Sequence, residues 1–316
     1  MPASTLFDEI KSLRTEQNNP NSRSIDIAST FEILEIINNE DKLVPLAVEK
    51  ELPYIETAVN RIVSGFRNGG RLFYVGAGTS GRIGIVDASE CPPTFGTDSE
   101  MIQGIIAGGT AAIFKAQEGA EDSYEGGREV LIDTSLNSRD IVCGIAASGR
   151  TPYVRGALEY AKSLGCFTIF VTTSSREHIE SLGLNIDVAI CPDVGPEVVE
   201  GSTRMKSGTA QKLVLNMLTT ASMIKLGKTL GNVMVDLQLT NEKLKERAKR
   251  IIMRICEVDY DTAEYYLMIS NGHVKSALVM ILGSVDYEKS IDLLASTGGF
   301  VRQAIEIAKK LNSDSK

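Results

Sequence analysis

Five short apolar runs, each followed by a change of rhythm, restrict what this chain can fold into. They are RLFYVGAG (71–78), IQGIIAGG (102–109), DIVCGIAASG (140–149), CFTIFVTTSS (166–175) and NIDVAICPDVG (185–195). Each is apolar through its middle rather than alternating, as strands covered on both faces are. Helical patterns at 80–90, 110–121, 151–164 and 176–182 separate them. Strands alternating with helices imply a parallel sheet joined by right-handed crossovers. The expected fold is therefore α/β, a doubly wound five-stranded parallel sheet over residues 56–226.

The flanks read differently. TEQNNPNSRS (15–24) is polar and irregular, and from Ile25 to Phe66 apolar residues recur at helical spacing until Asn68-Gly69-Gly70 ends the pattern. Residues 1–55 are thus an arm with helices. A long helix is expected from about 205, MKSGTAQKLVLNMLTTASMIKLGK. Beyond Gly231 the chain reads as wholly helical, in short amphipathic pieces such as HVKSALVMILGS and DYEKSIDLLAST. A small helical bundle over 227–316 follows.

Composition narrows the function. With 316 residues, 43% of them hydrophobic, the chain can build a core without disulfides or metals. A net charge of −8 with no long basic run argues against nucleic acid as a partner. No apolar run is long enough to span a bilayer, and the N-terminus lacks a signal core, so a cytoplasmic protein with no membrane partner is expected. The five cysteines are widely spaced with no C-x-x-C, the pattern of buried reduced thiols. A nucleophilic Cys91 needs a histidine, and only His178 and His273 exist. Two histidines also argue against zinc, and no metal or cofactor is expected.

Gly76-Ala77-Gly78-Thr79-Ser80-Gly81 spells G-x-G-x-x-G between a strand and a helix, where backbone N–H groups converge on an anion. A dinucleotide site also needs a carboxylate at the end of the second strand. That strand runs instead into Thr110-Ala111-Ala112, and Glu100 precedes it. The loop carries hydroxyls, Thr79 and Ser80. A second hydroxyl-rich turn follows the third strand, with Ser148, Gly149, Arg150 and Thr151, and Thr151-Pro152 is a good helix start. Ligands bind at the carboxyl edge of such sheets. Two such turns suit a compact phosphomonoester with its sugar hydroxyls better than a long pyrophosphate. A purely structural reading makes Ser80, Ser148 and Thr151 helix caps.

Two carboxylates stand out. Glu90 is expected to end its helix, because Pro92-Pro93 should stop it at once. A carboxylate at a helix C-terminus, among Cys91, prolines and Phe95, is poorly placed to ionise, and so is suited to acid catalysis. The other lies in KAQEGAEDSYEGG, a solvated acidic loop for most of its members. Folded back over the carboxyl edge, it would set Glu121 opposite Glu90. An acid and a base so placed run an elimination or an isomerisation without a cofactor.

GAGTSGRIGIVDASECPPTFG, QEGAEDSYEGG, GIAASGRTPYV and GPEVVEGSTRMKSGTAQKLVLNMLTT resemble the N-acetylmuramic acid 6-phosphate etherase family. STFEILEIINNEDKLVPLAVEKELP and GGFVRQ extend the resemblance over nearly the whole chain. The family lies within the sugar isomerase (SIS) fold group of phosphosugar-binding domains. The resemblance implies cleavage of the D-lactyl ether of N-acetylmuramic acid 6-phosphate by elimination and rehydration, in bacterial cell-wall recycling. It assigns the acid to Glu90 and places Glu121 in the active site. We take Glu121 as the base, unless a syn elimination lets one carboxylate serve both steps. It also matches Ser80, Ser148 and Thr151 to the phosphate-binding hydroxyls, and it makes Arg204 and Lys206 candidate site residues. Arg150 stands where related isomerases carry a glutamate. Finally, it implies a homodimer, in a fold group whose sites commonly borrow residues from a neighbour, and an ordered TEQNNPNS arm.

Competing readings share the fold. A sugar-phosphate-sensing regulator related to glucokinase regulatory protein would carry two SIS domains, and this chain has room for one. An aldose–ketose isomerase would enolise the sugar without releasing lactate. A nicotinamide enzyme lacks its ribose carboxylate.

Overall fold

The computed structural model describes residues 13–239 and 241–314; the first part of the leader, residues 1–12, lies outside them. Two compact units emerge, one from Met1–Glu90 and Asp98–Thr219, the other from Cys91–Thr97 and Thr220–Lys316. The division falls inside two helices, Gly78–Phe95 and Lys206–Lys225.

The first unit holds the sheet. Its strands are β1 (Leu72–Gly76), β2 (Ile102–Ile106), β3 (Ile141–Ile145), β4 (Phe167–Val171) and β5 (Val188–Ile190). All pairings are parallel, in the order β2-β1-β3-β4-β5. β1 and β3 are buried at every position, which explains their unbroken apolar composition. Phe73, Val75, Val142 and Phe170 pack against Val154, Ala157 and Leu158 of the helix Pro152–Ser163. Helix Leu52–Arg67 buries Ile55, Ala58, Val59, Ile62, Val63 and Phe66, one stripe at helical spacing.

Three local expectations change. Pro92 and Pro93 do not stop their helix, which continues to Phe95. Proline removes an N–H but holds a helical φ, and the helix ends instead at Gly96, at φ +62°. The stretch 110–121 is not one helix. It makes the short helix Ala111–Phe114, breaks at extended Lys115, and forms a 3₁₀ turn, Ala120–Asp122, after left-handed Gly119. A further helix, Tyr124–Asp133, lies where the glycines of YEGGREVLID read as loop. Those glycines serve close packing: a Cβ on Gly127 would run into the Tyr153 carbonyl, and one on Gly156 into the Tyr124 carbonyl. The two helices meet backbone to backbone.

The described part of the arm is tied down at several points. Asn19, Ser22 and Thr15 reach the segment after β5: Asn19 Nδ2 donates to the Pro196 carbonyl (3.0 Å), Ser22 Oγ to Val198 (2.7 Å), and Gly201 N to Thr15 (3.1 Å). Beneath it lies an ion pair. Glu40, 5% exposed, accepts from Lys206 Nζ (2.5 Å), Asn19 Nδ2 (2.8 Å) and Asn21 Nδ2 (2.8 Å). Burial pushes the Glu40 carboxyl up, but the hydrogen bonds from Asn21, Lys206 and Asn19 outweigh it and hold it below the ordinary glutamate value. Buried Glu197 accepts the Lys206 and Ser207 N–H groups (both 2.9 Å), capping the same helix.

The second unit is mainly helical, with Ala248, Ile252, Ala263, Ala277, Leu278, Val301 and Ala304 in its core. It is not wholly helical past Gly231: Thr229–Leu230 pairs antiparallel with Val233–Met234 around the turn Gly231-Asn232. Cys91, Cys143, Cys166 and Cys191 are buried and Cys256 is partly buried, each as a thiol rather than in a disulfide. Burial raises the Cys166 and Cys256 thiols to about 11 and the Cys191 thiol to about 12. Among the described residues no helix is long and apolar enough to cross a membrane.

Lys206→Met leaves the Glu40 carboxylate buried without its cation and is expected to cost about 3–5 kcal/mol in a denaturant titration. Adding Glu40→Gln should recover part of that loss. Because the folded Glu40 pKa is depressed, its contribution is complete above about pH 4.5, the ordinary glutamate value, and is lost as pH falls through the lower folded value. Stability of the Glu40→Gln protein should therefore fall less steeply below pH 4.5 than that of the parent.

Candidate active site

Parallel pairing brings every strand's carboxyl end to one edge. From β1 the chain crosses to β2 on one side; from β3 it crosses to β4 on the other. The crevice between β1 and β3 is the topological switch point, where sheets of this order bind ligands. The two hydroxyl-rich turns follow these two strands.

In the first turn the glycines close a strand–helix junction. A Cβ on Gly76 would stand 2.6 Å from Gly81 N, and one on Gly81 would stand 2.6 Å from Ile106 Cγ1. Gly78 opens the helix at φ +53°. The fingerprint is thus satisfied by local packing, and β2 runs into Ala107-Gly108-Gly109 with no carboxylate at its end. Thr79 is half-buried; Ser80 is buried, and its hydroxyl donates to Gln211 Oε1 at 2.9 Å.

The second turn is held from below. Ser174 Oγ donates to the Ser148 carbonyl (2.8 Å), and Thr172 and Thr173 donate to the Ala147 carbonyl (3.0 and 3.1 Å). Gly149 takes φ +74°. Ser148 Oγ accepts from Arg150 N at 3.3 Å, which leaves its own proton for a ligand. Thr151 occupies the N-cap of Pro152–Ser163, yet its side chain makes no capping hydrogen bond. The cap explanation therefore accounts for its position but not for its hydroxyl.

The other expected site residues are spread more widely. Glu90 does not end its helix and is exposed rather than set in poorly solvating surroundings. Glu121 is exposed on the 3₁₀ turn Ala120–Asp122, beside Ala120, which packs on the sheet core. Among the described residues, no hydrogen bond or ion pair engages either carboxylate, whereas Glu40, Glu51, Glu197, Asp87 and Asp140 all have structural partners. Arg204 is exposed in the turn before helix Lys206–Lys225. Lys206 is 1% exposed and committed to Glu40, so its ammonium is not offered to a ligand.

Sequence reading passed over Gln211, which contacts Ser80, and the TTSS segment beneath Ser148. The second carried a signal, since consecutive hydroxyls at a strand's carboxyl end are turn-bonding groups. The first carried none, as the two residues lie far apart in the chain. No group of His, Cys, Asp or Glu among the described residues is arranged to hold a metal.

Residues 54–162, which include β1 to β3 and both turns, match a family model described as the N-terminal SIS domain of glucokinase regulatory protein. A Salinibacter ruber protein named N-acetylmuramic acid 6-phosphate etherase is 59% identical over 305 residues, covering 96% of this chain and 97% of its own. The chain belongs to the N-acetylmuramic acid 6-phosphate etherase family. Proteins of the same name from Clostridioides difficile and Caldanaerobacter subterraneus subsp. tengcongensis are 52% and 54% identical. They cover 97% and 94% of this chain, and 100% and 96% of their own. The etherase relatives thus extend through both units.

If the Thr151 hydroxyl serves a ligand rather than a cap, Thr151→Ala should leave the unfolding midpoint unchanged. Ser175 accepts from His178 N at 3.2 Å and does cap its helix; Ser175→Ala should cost about 1 kcal/mol in the same titration.

Proposed function

We infer that the chain cleaves the D-lactyl ether of N-acetylmuramic acid 6-phosphate, giving N-acetylglucosamine 6-phosphate and D-lactate, a step in recovery of cell-wall sugars. Etherase relatives matching almost end to end support this over a regulator or an isomerase of the same fold. The observation that carries the site is the pair of hydroxyl turns at the β1/β3 switch point. Ser80, Ser148 and Thr151, with Thr79 and the Gly149 backbone, would seat the phosphate and neighbouring sugar oxygens. Arg204 would add a cation from an exposed turn; Lys206 is left out because Glu40 holds it.

The chemistry starts from the open-chain aldehyde, whose C1 carbonyl acidifies the C2 proton. Glu121 removes that proton. The C3–O bond breaks as Glu90 protonates the departing oxygen, giving D-lactate and an α,β-unsaturated aldehyde. Water then adds at C3, and C2 regains a proton. Both carboxylates act as general acid and base, without a metal or redox step. We place the reaction in the cytoplasm and assign the working enzyme as a homodimer, as the family resemblance implies.

Glu90→Gln should abolish lactate release yet retain exchange of the C2 proton in heavy water; loss of exchange with the fold intact would argue that Glu90 acts on C2. Turnover in ¹⁸O water should place the label on the sugar. Label on lactate would keep the substrate and overturn the elimination route.

A further inference from the structure

The first turn is buttressed by helix Lys206–Lys225. The helix comes close through a small residue, since a Cβ on Gly208 would stand 3.4 Å from Thr79 Cγ2. One turn further on is Gln211, 1% exposed. Its Oε1 takes the Ser80 hydroxyl at 2.9 Å, while its Nε2 is buried and has no hydrogen-bond partner. A buried amide nitrogen left unbonded calls for an explanation.

Ser80 has one proton. Donated to Gln211 Oε1, that proton is unavailable to a ligand, and Ser80 can then offer only lone pairs. An ionised phosphate also offers lone pairs, so the two oxygens would repel. Turning the Gln211 amide through half a rotation reverses this. Nε2 then donates to Ser80 Oγ, and the Ser80 proton is released toward the phosphate. The rotation sacrifices no other bond, because Nε2 has none to lose. It exchanges one unpartnered amide atom for another, and the new bond to phosphate decides the balance.

We propose that Gln211 is a positioning residue that sets the direction of the Ser80 hydroxyl proton, its amide reversing when the substrate's phosphate is bound. This rests on the reading that Ser80 faces that phosphate. Gln211 itself does not touch the ligand; it acts through Ser80.

The test uses the full chain and N-acetylglucosamine 6-phosphate, with Kd read by calorimetry and folding checked by thermal melting. Gln211→Glu, nearly isosteric and able only to accept when ionised, should weaken binding at least tenfold. The same change in a Ser80→Ala background should weaken it less than twofold, because no proton remains to be held back. Gln211→Met, which holds the proton nowhere, should stay within threefold of the parent. Equal losses from Gln211→Glu in both backgrounds would mean simple charge repulsion and overturn the proposal. So would a Gln211→Met loss as large as that of Gln211→Glu. If Ser80→Ala alone leaves Kd unchanged, the phosphate sits elsewhere and the underlying reading falls as well. Should Gln211→Glu not fold, the ¹⁵N side-chain amide signal of Gln211, identified by its absence from Gln211→Met, gives the answer in the parent protein. It should shift on adding the phosphosugar and not on adding N-acetylglucosamine; an unmoved signal overturns the proposal.

Discussion

The buried ion pair between Glu40 and Lys206 holds the first unit's periphery to its sheet. One carboxylate collects an ammonium from the helix Lys206–Lys225 and two amides from the N-terminal arm. Asn19, in turn, grips the segment after β5. Remove the pair and three stretches distant in sequence lose their common anchor. Removing one partner costs more than removing both, because an uncompensated charge is then left inside. The helix so anchored is the one that brings Gln211 to Ser80. An internal electrostatic contact therefore helps set a hydroxyl at the sheet edge.

At that edge, the backbone does most of the placing. The glycines at 76, 78 and 81 bring β1 against its helix, and the second turn is held through its carbonyls by Thr172, Thr173 and Ser174. Thr151 shows the division of labour: its residue starts a helix, but its hydroxyl is not used to do so. The carboxylates differ in the same way. Those with structural duties are engaged, whereas Glu90 and Glu121 stand exposed.

Much of this was legible in sequence because burial on both faces leaves an unmistakable apolar run, and five such runs separated by helices admit few topologies. The hydroxyl turns were legible because they sit at strand ends. What escaped was decided by tertiary contact. Gly126-Gly127 reads as a break, yet Gly127 permits a helix crossing that no larger residue would. Pro92-Pro93 reads as a stop, yet φ remains helical and Gly96 supplies the stop. Lys206 was a candidate site residue in the sequence because its partner, Glu40, lies far away along the chain. The Gln211–Ser80 contact is of the same kind.

The crossing at Gly127 and Gly156 bears on evolution as well as on packing. Glu121 sits just ahead of helix Tyr124–Asp133, in a turn anchored by Ala120 on the core and followed by the Ser123 cap. That helix is seated by main-chain contact at Gly127 and Gly156 and by Leu131, whose side chain is buried in the sheet core. Surface side chains around it can therefore drift while the carboxylate stays registered against the sheet. Two positions that carry no side chain at all, Gly127 and Gly156, thus set how closely the helix beside the acidic segment approaches its neighbour.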